Sequence, residues 1–246
     1  MTQDRTPKLR VHNFSLSLDG YAAGPNQSAD HPLGVGGQRL HEWAFATRTF
    51  RQMFGMDSGG EDLDDTFAAR GRLGIGATIM GRNMFGPIRG PWGDEDSRGE
   101  PDGFAGRAPR GRVWEPFEGS HVSWKGWWGD DPPFHHPVFV LTHHARPSIT
   151  MRGGTTIHFV TDGIRAALDR ALEAADGNDV GVGGGAATIQ QYLRAGLIDE
   201  MHLVMVPILL GSGERLFDHL DGGPLGYKCV EFLSTPSVVH LRFARS

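Results

Sequence analysis

Hydrophobic and polar positions along this chain change period several times, and each change marks an element. Residues 8–18, Lys-Leu-Arg-Val-His-Asn-Phe-Ser-Leu-Ser-Leu, alternate with period two and stop at Asp19-Gly20, which predicts a first strand closed by a turn. After a Gly-, Pro- and Asn-containing loop at 25–37, Leu40, Trp43, Ala44, Thr47, Phe50 and Phe54 recur at helical spacing and predict one long amphipathic helix covering a sheet. A shorter helix over 63–70 leads into an apolar, β-rich stretch at 73–80, and residues 137–142 and 155–160 read as two more strands. Ile164, Ala167, Leu168, Ala171, Leu172 and Ala175 mark a further amphipathic helix, with Asp162 placed to cap its start and Gly177 to turn the chain at its end. Residues 227–233 and 238–243, joined through Ser-Thr-Pro-Ser, read as a hairpin. Strands alternating with helices predict a mainly parallel α/β sheet, to which the hairpin adds an antiparallel edge.

The chain is organised around residues 179–217. A strand ending at Val182 must turn through Gly183, Gly184 and Gly185 into a helix carrying Ile189, Tyr192 and Leu193 on one face; an apolar strand at 202–210 and the loop Gly211-Ser-Gly-Glu-Arg-Leu-Phe217 follow. A turn without side chains bares backbone N–H groups, and the positive end of the helix dipole favours an anion such as a diphosphate there. On this reading a branched side chain at Gly184 blocks the anion while the fold depends on the glycine less. The string Gly181-Val-Gly-Gly-Gly-Ala186 also fits the dinucleotide fingerprint G-x-G-x-x-G/A. Its context does not: it lies in the last third of the chain, and Asp199 and Glu200 precede the next strand instead of ending it. The plainer alternative is a glycine turn that only packs a helix onto a sheet.

With 246 residues and ample apolar material the chain is expected to form one domain. A net charge of -5 with interspersed acids and bases offers no basic face for nucleic acid or an anionic membrane. The N-terminal residues lack the apolar core of a signal peptide and no apolar run approaches a membrane span, so a cytoplasmic protein is expected. Cys229, the single cysteine, excludes an internal disulfide and is expected in the core of its strand. The pairs His135-His136 and His143-His144 are adjacent residues pointing in different directions, which disfavours chelation, and no metal site is expected. From Gly90 to Phe134 the chain carries Trp92, Trp114, Trp124, Trp127 and Trp128 without a sustained period; their density points to an ordered lid packed on an apolar surface, and a flexible insertion is the equal alternative.

Four segments in order, Ser15-Leu-Ser-Leu-Asp-Gly-Tyr-Ala22, Met80-Gly-Arg-Asn-Met-Phe85, Val138-Phe-Val-Leu-Thr-His143 and the 179–217 unit with its Pro207-Ile-Leu-Leu-Gly-Ser-Gly213, resemble the dihydrofolate reductase-like family. They resemble most its branch related to the C-terminal reductase domain of riboflavin biosynthesis. The resemblance implies a dihydrofolate reductase-like three-layer α/β/α fold with a mainly parallel central sheet and an antiparallel C-terminal hairpin. It spans the chain apart from loop insertions at about 25–60 and 94–123.

The resemblance also implies NADPH as cofactor. Gly81, Arg82 and Asn83 then open a short helix against the cofactor phosphates, with Arg82 toward the 2′-phosphate. Leu141, Thr142 and His143 flank the adenosine end, Gly183, Gly184, Gly185, Ala186, Ala187 and Thr188 hold the diphosphate, and Ser15 and Ala22 match backbone positions near the nicotinamide amide. Asp19 and Glu214 are the candidate catalytic acids, facing one pocket and able to relay a proton. Glu42 falls in the helix where true dihydrofolate reductases place a pterin-binding acid. The expected activity is hydride transfer to a C=N or C=O bond of a small pterin- or pyrimidine-like substrate, in a homodimer. Two other readings stay open: a catalytically silent nucleotide-binding module and a flavin-dependent reductase.

Overall fold

The computed structural model describes residues 6–28, 30–86, 92, 125–220 and 226–246. The expected insertion at 94–123, together with Trp114 and Trp124, lies outside them. In chain order the elements are β1 (Leu9–Ser17), β2 (Tyr21–Ala23), α1 (Glu42–Ala46), α2 (Arg48–Gln52), α3 (Leu63–Arg70), β3 (Ile75–Gly81), α4 (Arg82–Phe85), β4 (Pro137–Leu141), β5 (Ile149–Thr150) and β6 (Thr156–Val160). They continue with α5 (Gly163–Ala174), β7 (Asp179–Gly184), α6 (Ala186–Arg194), β8 (Glu200–Val206), β9 (Glu214–Arg215), β10 (Tyr227–Ser234) and β11 (Val239–Arg245).

A nine-stranded sheet runs β10-β11-β8-β1-β7-β3-β4-β6-β5, while β2 and β9 pair separately. From β8 through β6 the neighbours are parallel; β5, β11 and β10 join antiparallel. Alternate residues of one strand enter different cores, because successive strand side chains point to opposite faces. Ile79, Phe139 and Leu203 pack with Ala167, Ala171, Ile189 and Tyr192 of α5 and α6, whereas Met80, Val138 and Val140 form a second core with Phe85. Val204 and Val206 meet Leu40, Trp43 and Ala68 in a third. Burial on both faces explains why β3 and β8 read as continuous apolar runs, and each such Val, Leu or Ile contributes about 1.5–3 kcal/mol relative to exposure.

Several expectations need correction. The long helix over 40–54 is three short pieces: a 3-10 turn at Gly37–His41, then α1 and α2, broken at Thr47. Thr47 adopts extended φ −73°, ψ 150°, and its hydroxyl accepts from the Phe50 N–H at 3.2 Å, so a residue read as part of an apolar face is instead the cap of a new helix. The alternation of β1 fails after His12. Asn13 has φ 54° and the register with β8 shifts between Val11 and Phe14, a bulge beyond which Phe14 to Ser17 are all buried. The strand expected at 202–210 ends at Val206, since Pro207 has no N–H for a ladder. Asp162 does hold the N-cap position of α5, but its side chain makes no cap bond and pairs instead with Arg170 at 2.9 Å. Cys229 is exposed, because β10 is the sheet's edge.

A buried polar chain ties the helical layer to the sheet. His202 Nε2 lies 3.1 Å from His240 Nδ1, and His240 Nε2 lies 2.9 Å from Asp64 Oδ1 on α3, with Phe67 stacked on the His240 ring. Burial pushes His202 down to about 2 and His12 down to about 4, so both are neutral in the folded protein. An unfolded histidine binds its proton near 6.5, so these groups favour the folded state above that value and lose their contribution as pH falls below it. The melting temperature is expected to hold from pH 8 to 7 and to fall between pH 6.5 and 4 by scanning calorimetry. A flat profile across that window would show these histidines to be accessible.

Candidate active site

Because the central strands are parallel, their C-terminal ends open on one side, and the turns and helices that follow gather there. β1 leads into the Asp19 turn and β2, β3 into α4, β4 into Thr142 and His143, and β7 into α6. Together they line a cavity of about 970 Å³. Ser15, Ala22, Gly81, Arg82, Asn83, Leu141, Thr142, His143 and all six residues from Gly183 to Thr188 lie on its wall.

Local contacts set each position. The Ser15 hydroxyl accepts from Trp43 Nε1 at 2.9 Å, Asn83 donates to Gln27 Oε1 at 3.3 Å, and Arg82 Nη1 donates to Thr142 Oγ1 at 3.4 Å. A Cβ at Gly81 would stand 2.2 Å from Thr188 Oγ1, so the Thr188 hydroxyl of α6 sits directly over the end of β3. Gly184 has φ 126° and a Cβ there would meet the Phe14 ring at 3.2 Å. The expectation that the fold depends little on Gly184 is therefore corrected: a branched residue there strains the backbone as well as filling the cavity. No side chain caps α6 and no acid occupies its first turn, so its leading N–H groups stand at the cavity wall.

The two candidate acids part company. Glu214, held where β9 pairs with β2, lines the cavity and is the single carboxylate among its described wall residues. Asp19 does not line it. Its carboxylate accepts from the Ser17 hydroxyl, from Leu210 N at 3.2 Å and from Gly211 N at 2.7 Å, and these bonds, the Ser17 one foremost, bring its pKa down to about 2. Its expected role as a proton donor in a shared pocket is thus corrected: it clasps the loop after β8 to the turn after β1. Glu42 is exposed and stands apart from the cavity.

The remaining wall is aromatic and imidazole-rich. Phe45, Phe50, Trp127, Trp128 and Phe134 border it, so two of the lid tryptophans do cover an apolar space. His135 bonds Gly153 O at 2.8 Å and His136 lies 2.8 Å from Thr78 Oγ1. Among the described residues no group of three or more His, Cys, Asp or Glu is arranged to hold a metal. Sequence reasoning missed His12, which lines the cavity and whose Nε2 lies 3.0 Å from Arg10 Nη2, with Arg10 anchored to Asp179 at 3.1 Å. The Arg-x-His spacing in a bulged strand was the available signal. Trp43 was legible only as helix surface, although an indole N–H in an apolar stripe asks for an acceptor.

The pattern of the RibD C-terminal domain matches residues 7–241. The chain belongs to the RibD C-terminal domain family. In Bacillus subtilis, YyaP is 29% identical over 92 residues, 36% of this chain and 48% of that protein, and YwjB is 33% identical over 64 residues, 26% and 36% respectively. The chain thus matches about half, or less, of these uncharacterised relatives' length. A structure described as a riboflavin biosynthesis protein from Shewanella sp. PV-4 aligns with TM-score 0.57 at 21% identity over 97% of this chain and 99% of that one. RibD of Acinetobacter baumannii aligns with TM-score 0.52 at 17% identity over 100% of this chain and 59% of that one. At these identities the likeness shows the fold alone, a mixed α/β fold around a mainly parallel sheet. No helix among the described residues is long and apolar enough to cross a membrane.

Ala187 is exposed in the first turn of α6 and on the cavity wall, which allows the anion seat to be tested without touching a glycine. Ala187→Glu places a carboxylate where the helix dipole welcomes it, by about 0.3–1 kcal/mol, and where a diphosphate is repelled. The variant is expected to melt no lower than wild type and to bind ADP at least tenfold more weakly by calorimetric titration. Unchanged ADP binding would make the glycine turn a packing device only.

Proposed function

We propose that this protein is an NADPH-dependent reductase of a small planar heterocycle, pterin- or pyrimidine-like, acting on a C=N or C=O bond. The observation that carries this reading is convergence. Ser15, Ala22 and the segments 81–83, 141–143 and 183–188 line one cavity whose volume, about 970 Å³, is ample for a dinucleotide end and a second planar molecule between aromatic walls. Membership of the RibD C-terminal domain family supports it.

The residues present fit the cofactor. The uncapped α6 N-terminus suits a diphosphate, and the narrow gap over Gly81 keeps the backbone there bare. Arg82, Thr142 and His143 supply a guanidinium, a hydroxyl and an imidazole for a phosphate at the adenosine end. Ser15 and Ala22 offer backbone groups near the nicotinamide, with Trp43 fixing the Ser15 hydroxyl. NADPH, when bound, supplies the hydride. Trp127, Trp128 and Phe134 would keep water from the substrate, and Glu214 would deliver the proton that balances the charge left on nitrogen or oxygen.

Loss of NADPH absorbance in a screen of pterins and pyrimidines tests the reading. On a substrate so found, Glu214→Gln is expected to lower kcat at least tenfold while leaving NADPH affinity within twofold. Asp19→Asn is expected to keep kcat and lower the melting temperature, since its bonds are structural. Full kcat in Glu214→Gln across pH 5–9 would remove it from the mechanism. One observation favours a second reading, a nucleotide-binding module without turnover: with Asp19 clasped in its turn, a single carboxylate lines the described wall. Tight NADPH binding with no oxidation across the screen would support it.

The expected homodimer belongs to the same proposal. Edge strand β10 exposes Val230 and Phe232, 55% and 67% accessible, beside a strand edge that pairs with no other strand among the described residues and that a second copy can extend. Light scattering at micromolar concentration is expected to give twice the 26.8 kDa chain mass, and Phe232→Lys to shift it toward the monomer. A monomeric wild type would sink this part.

A further inference from the structure

Arg82 does not stand free at the cavity wall. Its guanidinium carbon lies 3.5 Å from the centroid of the Trp92 ring, a stacked cation–π contact. Trp92 lies outside the cavity wall. It is wedged behind it, edge-on to Phe85 of α4 at 5.8 Å and to Phe159 of β6 at 5.1 Å. Its Nε1 donates to His144 O at 2.7 Å, pinning the indole to the loop that carries Thr142 and His143. A second guanidinium, Arg146, lies over the same ring at 4.9 Å and over Phe159 at 5.3 Å, closing the wedge from the loop side. One side chain therefore joins α4, the loop after β4 and β6 directly behind the arginine.

A guanidinium that stacks by its face keeps its N–H edge for in-plane partners, and for Arg82 that edge reaches Thr142 Oγ1 on the cavity wall. Stacking removes the rotamer freedom that an arginine otherwise loses on seizing an anion, so the cost of ordering is met before the ligand arrives. Resting on the NADPH reading above, we propose that Trp92 is the positioning residue for Arg82 and thereby sets the preference for the 2′-phosphorylated dinucleotide. Trp92 touches no ligand atom in this account. It acts only through the orientation of Arg82, which distinguishes it from a residue that merely stabilises the wall.

The test is a double-mutant cycle on the full chain, read as equilibrium Kd for NADPH and for NADH by calorimetric titration. Trp92→Leu is expected to weaken NADPH at least tenfold and NADH less than twofold, and Trp92→Phe, which keeps an aromatic face, to recover most of the loss. In an Arg82→Gln background Trp92→Leu is expected to add less than twofold, because the residue it positions is gone. Equal weakening of both dinucleotides by Trp92→Leu, or additive losses in the cycle, would overturn the proposal while the reductase reading stands. A wild type that binds both dinucleotides equally also overturns it, and one that binds neither sinks the reading with it. Should Trp92→Leu fail to fold, Trp92→Met carries the same cycle.

Discussion

Everything at the cavity depends on β1 lying between β7 and β8 and running parallel to both. Parallel pairing forces the C-terminal ends of neighbouring strands to one side of the sheet, whatever their separation along the chain. Ser15, Gly81, Leu141 and Gly184 are thus brought to one rim from four distant stretches of sequence. The arrangement also requires both faces to be covered. That requirement recruits α5 and α6 to one side and the short helices α1 and α3, which meet Val204 and Val206, to the other. The side carrying α1 leaves space against β1, β3 and β7, and that space is the cavity.

Polar side chains at β1 and its neighbouring strands tie the sheet together and to the helical layer. Arg10 joins β1 to Asp179 at the start of β7, Asn13 meets His202 on β8 and donates to Ala68 O on α3, and Asp64 of α3 reaches His240 on β11. The bulge at Asn13 makes this possible by turning one extra residue out of the ladder. Burial keeps His202, His12 and His136 neutral, the last brought down to about 4, so His12 and His136 on the cavity wall offer neutral donors and acceptors at pH 7.

The order of strands and helices was legible because period-two and helical patterns do not depend on distant contacts. Residues 63–70, 137–141 and 156–160 fall where their periodicity places them. Legibility failed where one local residue decides against the pattern: Thr47 as a cap, Pro207 as a missing donor and Asn13 as a bulge. The convergence of Arg82, Thr142 and Gly184 was legible only through the family's motifs, since periodicity says nothing about which strands become neighbours. Asp19 shows the opposite limit. An Asp-Gly pair reads equally as a turn or as chemistry, and only the amide groups of Leu210 and Gly211, about 190 residues away along the chain, decide it.

The glycine turn shows why sequence alone left two readings open. Gly81 makes room for the Thr188 hydroxyl of α6 over the end of β3, which is a packing demand, and it also leaves bare backbone at the cavity wall, which is a binding demand. Gly184 answers a backbone demand with φ 126° and borders the cavity at once. When one residue meets both demands, its substitution disturbs fold and ligand together, and its presence favours neither reading. Ala186 and Ala187 differ, because a helix start tolerates many residues and often carries a cap or an acid. The start of α6 carries small, uncharged residues, no capping side chain and no acid in the first turn, and its Thr188 N–H turns back to Gly185 O at 3.0 Å. That choice, more than the run of glycines, is what the anion reading uses and the packing reading does not need.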